Sequence, residues 1–190
     1  MCCRFNLDLE SASPAILNGM DALNEKEIFP KFGDIFPEDL AMVFANNRKL
    51  EVKPFAMSWG FHTFGDRPII NARSETAAEK RYFAESMKSH RCAIPATGYY
   101  EWQRTETAKR KYDIRARNGK MFYLAGLYRT ENCGIVFTVL TKGPDESVAF
   151  IHDRMPVLLP EEAMGDWLNL RYDANDVLKN AGIELIGKAC

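Results

Sequence analysis

The spacing of apolar positions along this chain changes several times, and each change marks an element. From Ser13 to Asn24, Ile16, Leu17, Met20 and Leu23 recur at helical spacing. Pro14 suits the first turn of that helix, and Ser11 or Ser13 can cap it. Two runs, 39–45 (DLAMVFA) and 50–58 (LEVKPFAMS), flank the turn-like pair Asn46-Asn47 and predict a hairpin. Residues 59–70 (WGFHTFGDRPII) mix aromatics with turn formers and read as a loop. The helical period returns over 74–89, where Ala77, Arg81, Phe83, Ala84 and Met87 share a stripe behind a capping Ser74. Strand-like runs then crowd together at 91–96, 98–103, 111–116, 120–128 and 134–141, with Asn118-Gly119 a strong hairpin signal between two of them. A further helix opens at Pro160 and carries Glu161, Glu162, Ala163, Trp167 and Leu168. Strands in neighbouring runs, with helices set between blocks, predict an α+β fold on a mainly antiparallel sheet with peripheral helices. No repeat, low-complexity tract or linker divides the chain, so one domain is expected over 1–190.

Composition narrows the class of partner. At 190 residues, with 46% hydrophobic and 27% charged positions, the chain has the make-up of a globular protein. No apolar run approaches the roughly 18 residues that cross a membrane. The start, with Arg4, Asp8 and Glu10, lacks the apolar stretch of a secretory signal, so a cytoplasmic protein without membrane contact is expected. The five cysteines are odd in number and form no C-x-x-C pair, which predicts free thiols and no metal or other cofactor. A formal net charge of -1 argues against non-specific coating of nucleic acid but leaves room for a local basic cleft. The chain is expected to act as a monomer.

Four short stretches set polar groups in apolar surroundings: Cys2-Cys3-Arg4-Phe5, Asn71-Ala72-Arg73-Ser74-Glu75-Thr76, Gly98-Tyr99-Tyr100-Glu101-Trp102 and His152-Asp153-Arg154-Met155-Pro156. Each has an ordinary structural reading. Ser74 can simply cap a helix with Glu75 at its positive end, Glu101 can be a surface carboxylate, and His152 can belong to a solvated turn. Together they resemble the SRAP family (SOS response-associated peptidase), whose signature pieces are M-C-G-R-F, N-A-R-x-E-T, G-x-x-E-W and H-x-R-M-P. Here they stand in the same order as MCCRF, NARSET, GYYEW and HDRMP, from residue 1 to residue 156.

The resemblance implies a barrel-like core and a protein that senses abasic sites in single-stranded DNA and links itself to them. The residues explain how. Removal of Met1 would leave Cys2 with an amine and a thiol on adjacent carbons. The amine can condense with the aldehyde of a ring-opened abasic sugar, and the thiol can then close a five-membered thiazolidine. An internal cysteine cannot do this, because its nitrogen is an amide. Glu101, set among Tyr99, Tyr100 and Trp102, is the expected acid/base, the role that the resemblance also implies for its matching glutamate. His152 would assist at the sugar oxygen, and Asn71 would orient the amine or sugar. Arg4, Arg73 and Arg154 would hold phosphates. Trp59, with Phe61, either stacks a base or belongs to the core. Two other functions fit the same residues: an N-terminal cysteine peptidase acting on its own Met1, and a DNA-binding module that has lost the reaction. Glu101 could also drive β-elimination, giving a lyase.

Three positions depart from the family pattern. Cys3 replaces a glycine and adds a second thiol. Asp34-Ile35-Phe36-Pro37 stands where an Asn-x-Ala-Pro stretch is usual, placing an acid where phosphate contact is expected. The segment 183–187 (IELIG) leaves little for a final strand.

Overall fold

The computed structural model describes residues 2–63, 65, 67–180 and 182–190. Its strands are β1 (Phe5–Leu7), β2 (Gly33–Ile35), β3 (Leu40–Asn46), β4 (Val52–Trp59), β5 (Asn71–Arg73), β6 (Arg91–Ala96), β7 (Gly98–Arg104), β8 (Lys109–Ala116), β9 (Phe122–Glu131), β10 (Gly134–Lys142), β11 (Met155–Pro156), β12 (Leu158–Leu159) and β13 (Leu185–Ala189). The helices are α1 (Pro14–Asn24), α2 (Ser74–Ala77), α3 (Arg81–Ser89), α4 (Glu161–Leu168) and α5 (Ala174–Asn180), with a 3-10 turn at Leu9–Ser11.

Five strands close on themselves. β3 pairs β4 and β6, β6 pairs β9, β9 pairs β10, and β10 returns to β4. A ring with an odd number of strands cannot be antiparallel throughout, and the forced exception is the parallel β4–β10 contact (Val136 with Ser58, Phe137 with Trp59). Closure removes the exposed edges that an open sheet of this length would present. Pro95, buried within β6, is tolerated because β6 meets β3 only at Cys92 and Ala93. By Pro95 one side of the strand has no ladder to interrupt.

β4 stops at Trp59, yet the same edge of β10 is taken up again by β5, with Val139 opposite Asn71 and Thr141 opposite Arg73. Between them the chain makes an excursion. Gly60 starts it at φ +127, donating its N–H to Phe137 O (2.7 Å), and a Cβ there would lie 2.6 Å from Pro68. Phe61 and Ile69 then bridge across the loop. Trp59 is therefore a core residue. It is fully buried, stacks on Phe137, tilts against Phe5 at 5.1 Å and donates Nε1–H to Ile70 O (2.9 Å). Of its two sequence readings the structure takes the core one, and no ring face remains for a base.

The second sheet is antiparallel in the order β13-β8-β7-β1-β2. Phe5 of β1 meets Trp59 of the barrel, and the buried side chains form one continuous cluster. Two sequence expectations change here. β13 forms fully on β8, so the C-terminal segment does supply a last strand. The helix expected over 74–89 is two, broken between Ala77 and Arg81. At about 100° per residue an unbroken helix would put Phe83 about 120° away from Ala77. Restarting at Arg81 lets Ala77, Phe83 and Met87 all be buried. Among the described residues no helix is long and apolar enough to cross a membrane, and all five cysteines are free thiols.

Candidate active site

From Tyr99 to Trp102 the strand β7 alternates. Tyr99 and Glu101 are buried, while Tyr100 and Trp102 are partly exposed on the other face. Glu101 is thus not enclosed by three aromatics, as its neighbours in sequence suggest; a strand's period of two sends Tyr100 and Trp102 away from it. Glu101 Oε1 accepts the N–H of Trp102 at 3.1 Å.

β1 lies against β7, with Phe5 opposite Tyr99 and Tyr100 N–H donated to Arg4 O (2.9 Å). The regular alternation ends at Arg4, and the two adjacent cysteines part. Cys2 is completely buried, its thiol 3.5 Å from Arg4 O, whereas Cys3 lines an open cleft. Asn71, the first residue of β5, donates Nδ2–H to Cys2 O at 2.8 Å. Burial, and then the negative charge of Glu101, push the Cys2 thiol far above its usual range, so it is protonated at neutral pH. Tyr99 is pushed up by its own burial first, then by Cys2 and Glu101. Cys2, Asn71 and Glu101, separated by 69 and 30 positions in sequence, are brought into one neighbourhood. Met1 and its removal lie outside the described residues.

Above them a cleft of about 450 Å³ is lined by Cys3, Glu101, Trp102 and His152. Its rim carries four cations, Arg73, Arg104, Lys109 and Arg154, against the acid Asp153. The cations are not equivalent. Arg73 is exposed. Arg154 makes a two-pronged pair with Glu75 (2.6 and 2.8 Å) and donates to Thr141 O (2.7 Å). That pairing holds the Glu75 carboxyl down at about 2. Arg154, expected to hold phosphate, already has its charge answered within the protein. His152 Nδ1 accepts the Arg154 N–H at 3.0 Å and lies 2.7 Å from Asp153 Oδ1. The first contact requires a lone pair on Nδ1 and the second a proton, so the two belong to different states of the ring. In the neutral ring that accepts from Arg154, the proton sits on Nε2.

The outer face of the second sheet continues this surface. Arg4 lies over Phe36, Tyr100 and Trp102, at 4.5, 5.5 and 5.5 Å from the ring centres, and 3.6 Å from Asp34. Lys109 sits over Trp102 and Lys111 over Tyr100. Asp34 also accepts from Asn6 (2.9 Å); burial first, then Asp34, pushes the Tyr100 phenol up to about 12. The acid noted at position 34 is thus occupied by Arg4, Asn6 and Tyr100. Sequence reasoning missed Arg104, Lys109 and Lys111. The signal was available in the alternation of 109–115 (KRKYDIR), which puts Lys109 and Lys111 on the face opposite Tyr112 and Ile114.

A family model described as SOS response associated peptidase (SRAP) matches residues 1–185. The chain belongs to the SRAP family. Among curated relatives, the abasic site processing protein YobE of Bacillus subtilis is 39% identical over 118 residues, covering 59% of this chain and 54% of that protein. The abasic site processing protein YedK of Escherichia coli is 31% identical over 118 residues (58% and 52%). The abasic site processing protein HMCES of Xenopus tropicalis is 33% identical over 135 residues (57% and 40%). The matched region thus spans about half the length of these SRAP relatives, or less. Among solved structures, a protein from Bacteroides thetaiotaomicron superposes with a TM-score of 0.79 at 21% identity, covering 99% of this chain and 91% of that one. One from Bordetella bronchiseptica gives 0.76 at 21% identity, covering 100% and 99%. These two likenesses speak for the fold alone.

Proposed function

We propose that this protein processes abasic sites in single-stranded DNA by covalent capture, through an N-terminal Cys2 left after loss of Met1. The observation that carries the reading is the clamp on Cys2: its carbonyl is held by Asn71 at 2.8 Å, beside the buried Glu101 and below a cation-rimmed cleft. The names of the relatives supply the substrate class.

The amine of Cys2 attacks the sugar aldehyde, forming a C–N bond, and the resulting hydroxyl leaves as water to give an imine. The thiol then adds to the same carbon. A C–S bond forms, the sulfur proton is lost, and the nitrogen gains one. One water is released overall. A buried, protonated thiol needs a base at this step, and Glu101, whose charge already bears on that thiol, takes the proton. In its neutral form His152 presents an Nε2 proton for the sugar oxygen. Arg73, Arg104 and Lys109 hold flanking phosphates, while the rings of Tyr100 and Trp102 carry Arg4, Lys109 and Lys111 beside that path. Should Glu101 instead take a sugar proton from the imine, the strand would be cut, which is the lyase outcome.

Intact mass after mixing with an abasic single strand tests the reading. The expected species is the protein without Met1, plus the oligonucleotide, minus one water. An adduct that retains Met1, or neither adduct nor cut strand, would overturn it.

A further inference from the structure

On another part of the surface, three side chains from distant segments converge. His62 follows Phe61, whose backbone is fixed by reciprocal hydrogen bonds with Ile69 (3.1 and 2.8 Å). Glu131 ends β9, and Cys133 sits in the turn to β10, where Glu131 pairs with Gly134. His62 Nδ1 lies 2.7 Å from Glu131 Oε2, and Cys133 Sγ lies 3.6 Å from the same nitrogen and 3.9 Å from the same oxygen. One nitrogen, one carboxylate oxygen and one sulfur therefore form a compact triangle, with His62 and Cys133 exposed.

The dimensions suit a tetrahedral cation. Bonds of about 2.3 Å to sulfur and about 2.0–2.1 Å to nitrogen or oxygen, at tetrahedral angles, put sulfur about 3.6 Å from each of the others and nitrogen about 3.3 Å from oxygen. The two sulfur distances already fit. The short edge is a hydrogen-bond distance that an ion would open by about 0.6 Å.

The surroundings orient the triangle. Arg129 Nε donates to Glu131 Oε1 at 2.6 Å, and Arg129 also donates to His62 O (2.8 Å) and Tyr82 Oη (2.6 Å). The guanidinium lies 4.4 Å over the rings of both Phe61 and Tyr82. Glu131 thus has one oxygen tied to Arg129 and the other turned toward His62 and Cys133, the outer-shell support typical of a metal ligand.

We propose that His62, Glu131 and Cys133 bind a thiophilic divalent cation, Zn²⁺ above all, with water as fourth ligand. The donor set excludes Mg²⁺ and Ca²⁺, which take oxygen ligands. On binding, the Cys133 S–H bond breaks and a Zn–S bond forms with its proton lost to solvent, while the Nδ1–H that faces Glu131 gives way to a Zn–N bond, the neutral ring carrying its proton on Nε2. The ion would clip the excursion after β4 to the β9–β10 turn, joining positions 69 and 71 apart. That separation is why no local motif announces the site, and why a sequence reading predicts no metal.

The chelator-treated protein, titrated calorimetrically with Zn²⁺, should bind one ion, and its melting temperature should rise with Zn²⁺ but not with Ca²⁺. Co²⁺ in place of Zn²⁺ should give a thiolate-to-metal charge-transfer band and tetrahedral absorption. Cys133→Ser and His62→Ala should each weaken binding at least tenfold; Cys133→Ser should also abolish the charge-transfer band and, in the absence of metal, should melt with the wild type, since the position is exposed. Cys190→Ser should change nothing. Failure of the wild type to bind one ion, a Co²⁺ complex without the thiolate band, or undiminished binding in Cys133→Ser would overturn the proposal.

Discussion

At the scale of single residues, the two neighbouring thiols make the sharpest contrast. Cys2 is buried and clamped through its carbonyl, while Cys3 faces the cleft with only an amide nitrogen beside it. Accessibility alone would make Cys3 the reactive thiol; the proposed aminothiol chemistry requires Cys2. Cys2→Ala keeps an amine once Met1 is lost, so it should form a Schiff base that borohydride traps but no heat-stable adduct. Cys3→Ala should cross-link as the wild type does. Glu101→Gln should slow adduct formation by about 10²–10⁴-fold. Denaturing gels of abasic single strands, with and without borohydride, read all three. A stable adduct in Cys2→Ala, or its loss in Cys3→Ala, would sink the mechanism. The types and order of these residues were legible in the sequence; their partners were not. That Asn71 would grip the Cys2 carbonyl, and that Arg154 would be taken by Glu75, depends on β5 and on the bend after β10, which bring together groups 69 and 79 positions apart.

At the scale of elements, legibility followed length. The hairpin of β3 and β4 and the long β9 and β10 carry apolar runs long enough to be read as strands, whereas β1, β5, β11 and β12 span two or three residues each and give no such signal. Yet β1 and β5 are the strands that place Cys2 and Asn71. The break between α2 and α3 was hidden because local propensity is helical on both sides, and only the need to bury Phe83 beside Ala77 interrupts it. Barrel closure also rests on tertiary fit. At the middle of β9, Gly126 lets β6 and β10 close in on either side. A Cβ there would lie 2.5 Å from Ile94 Cδ1 and 3.0 Å from both Cys92 Sγ and the carbonyl of Thr138. The Ile94 tip can rotate away, but the Thr138 carbonyl belongs to the paired strand and cannot. Gly126→Ala should therefore lower stability by about 1–3 kcal/mol, seen as a lower urea midpoint at unchanged slope. A midpoint equal to or above that of the wild type would show that the barrel can widen there at no cost.

For the whole molecule, the formal net charge of -1 conceals an uneven distribution. Arg73, Arg104 and Lys109 rim the cleft, and Lys111 and Arg4 extend the surface along the ring faces of Tyr100 and Trp102. If a single strand follows this path, attraction to it is local, and its salt dependence should report which cations meet phosphate. Binding is best measured to a strand carrying a tetrahydrofuran at the abasic position, since that sugar has no aldehyde and cannot be captured. Each lost phosphate contact on single-stranded DNA should reduce the slope of log K against log salt by about 0.7. Arg73→Ala and Lys109→Ala should each do so, and the double variant should lose about 1.4. Arg154→Ala should leave the slope unchanged, because its charge is already matched by Glu75 at 2.6 and 2.8 Å. Its cost should instead appear as a lower melting temperature, since Glu75 and Thr141 lose their donor. Unchanged slopes in both Arg73→Ala and Lys109→Ala, with a reduced slope in Arg154→Ala, would mean that the strand opens the Glu75 pair and takes another route across the protein.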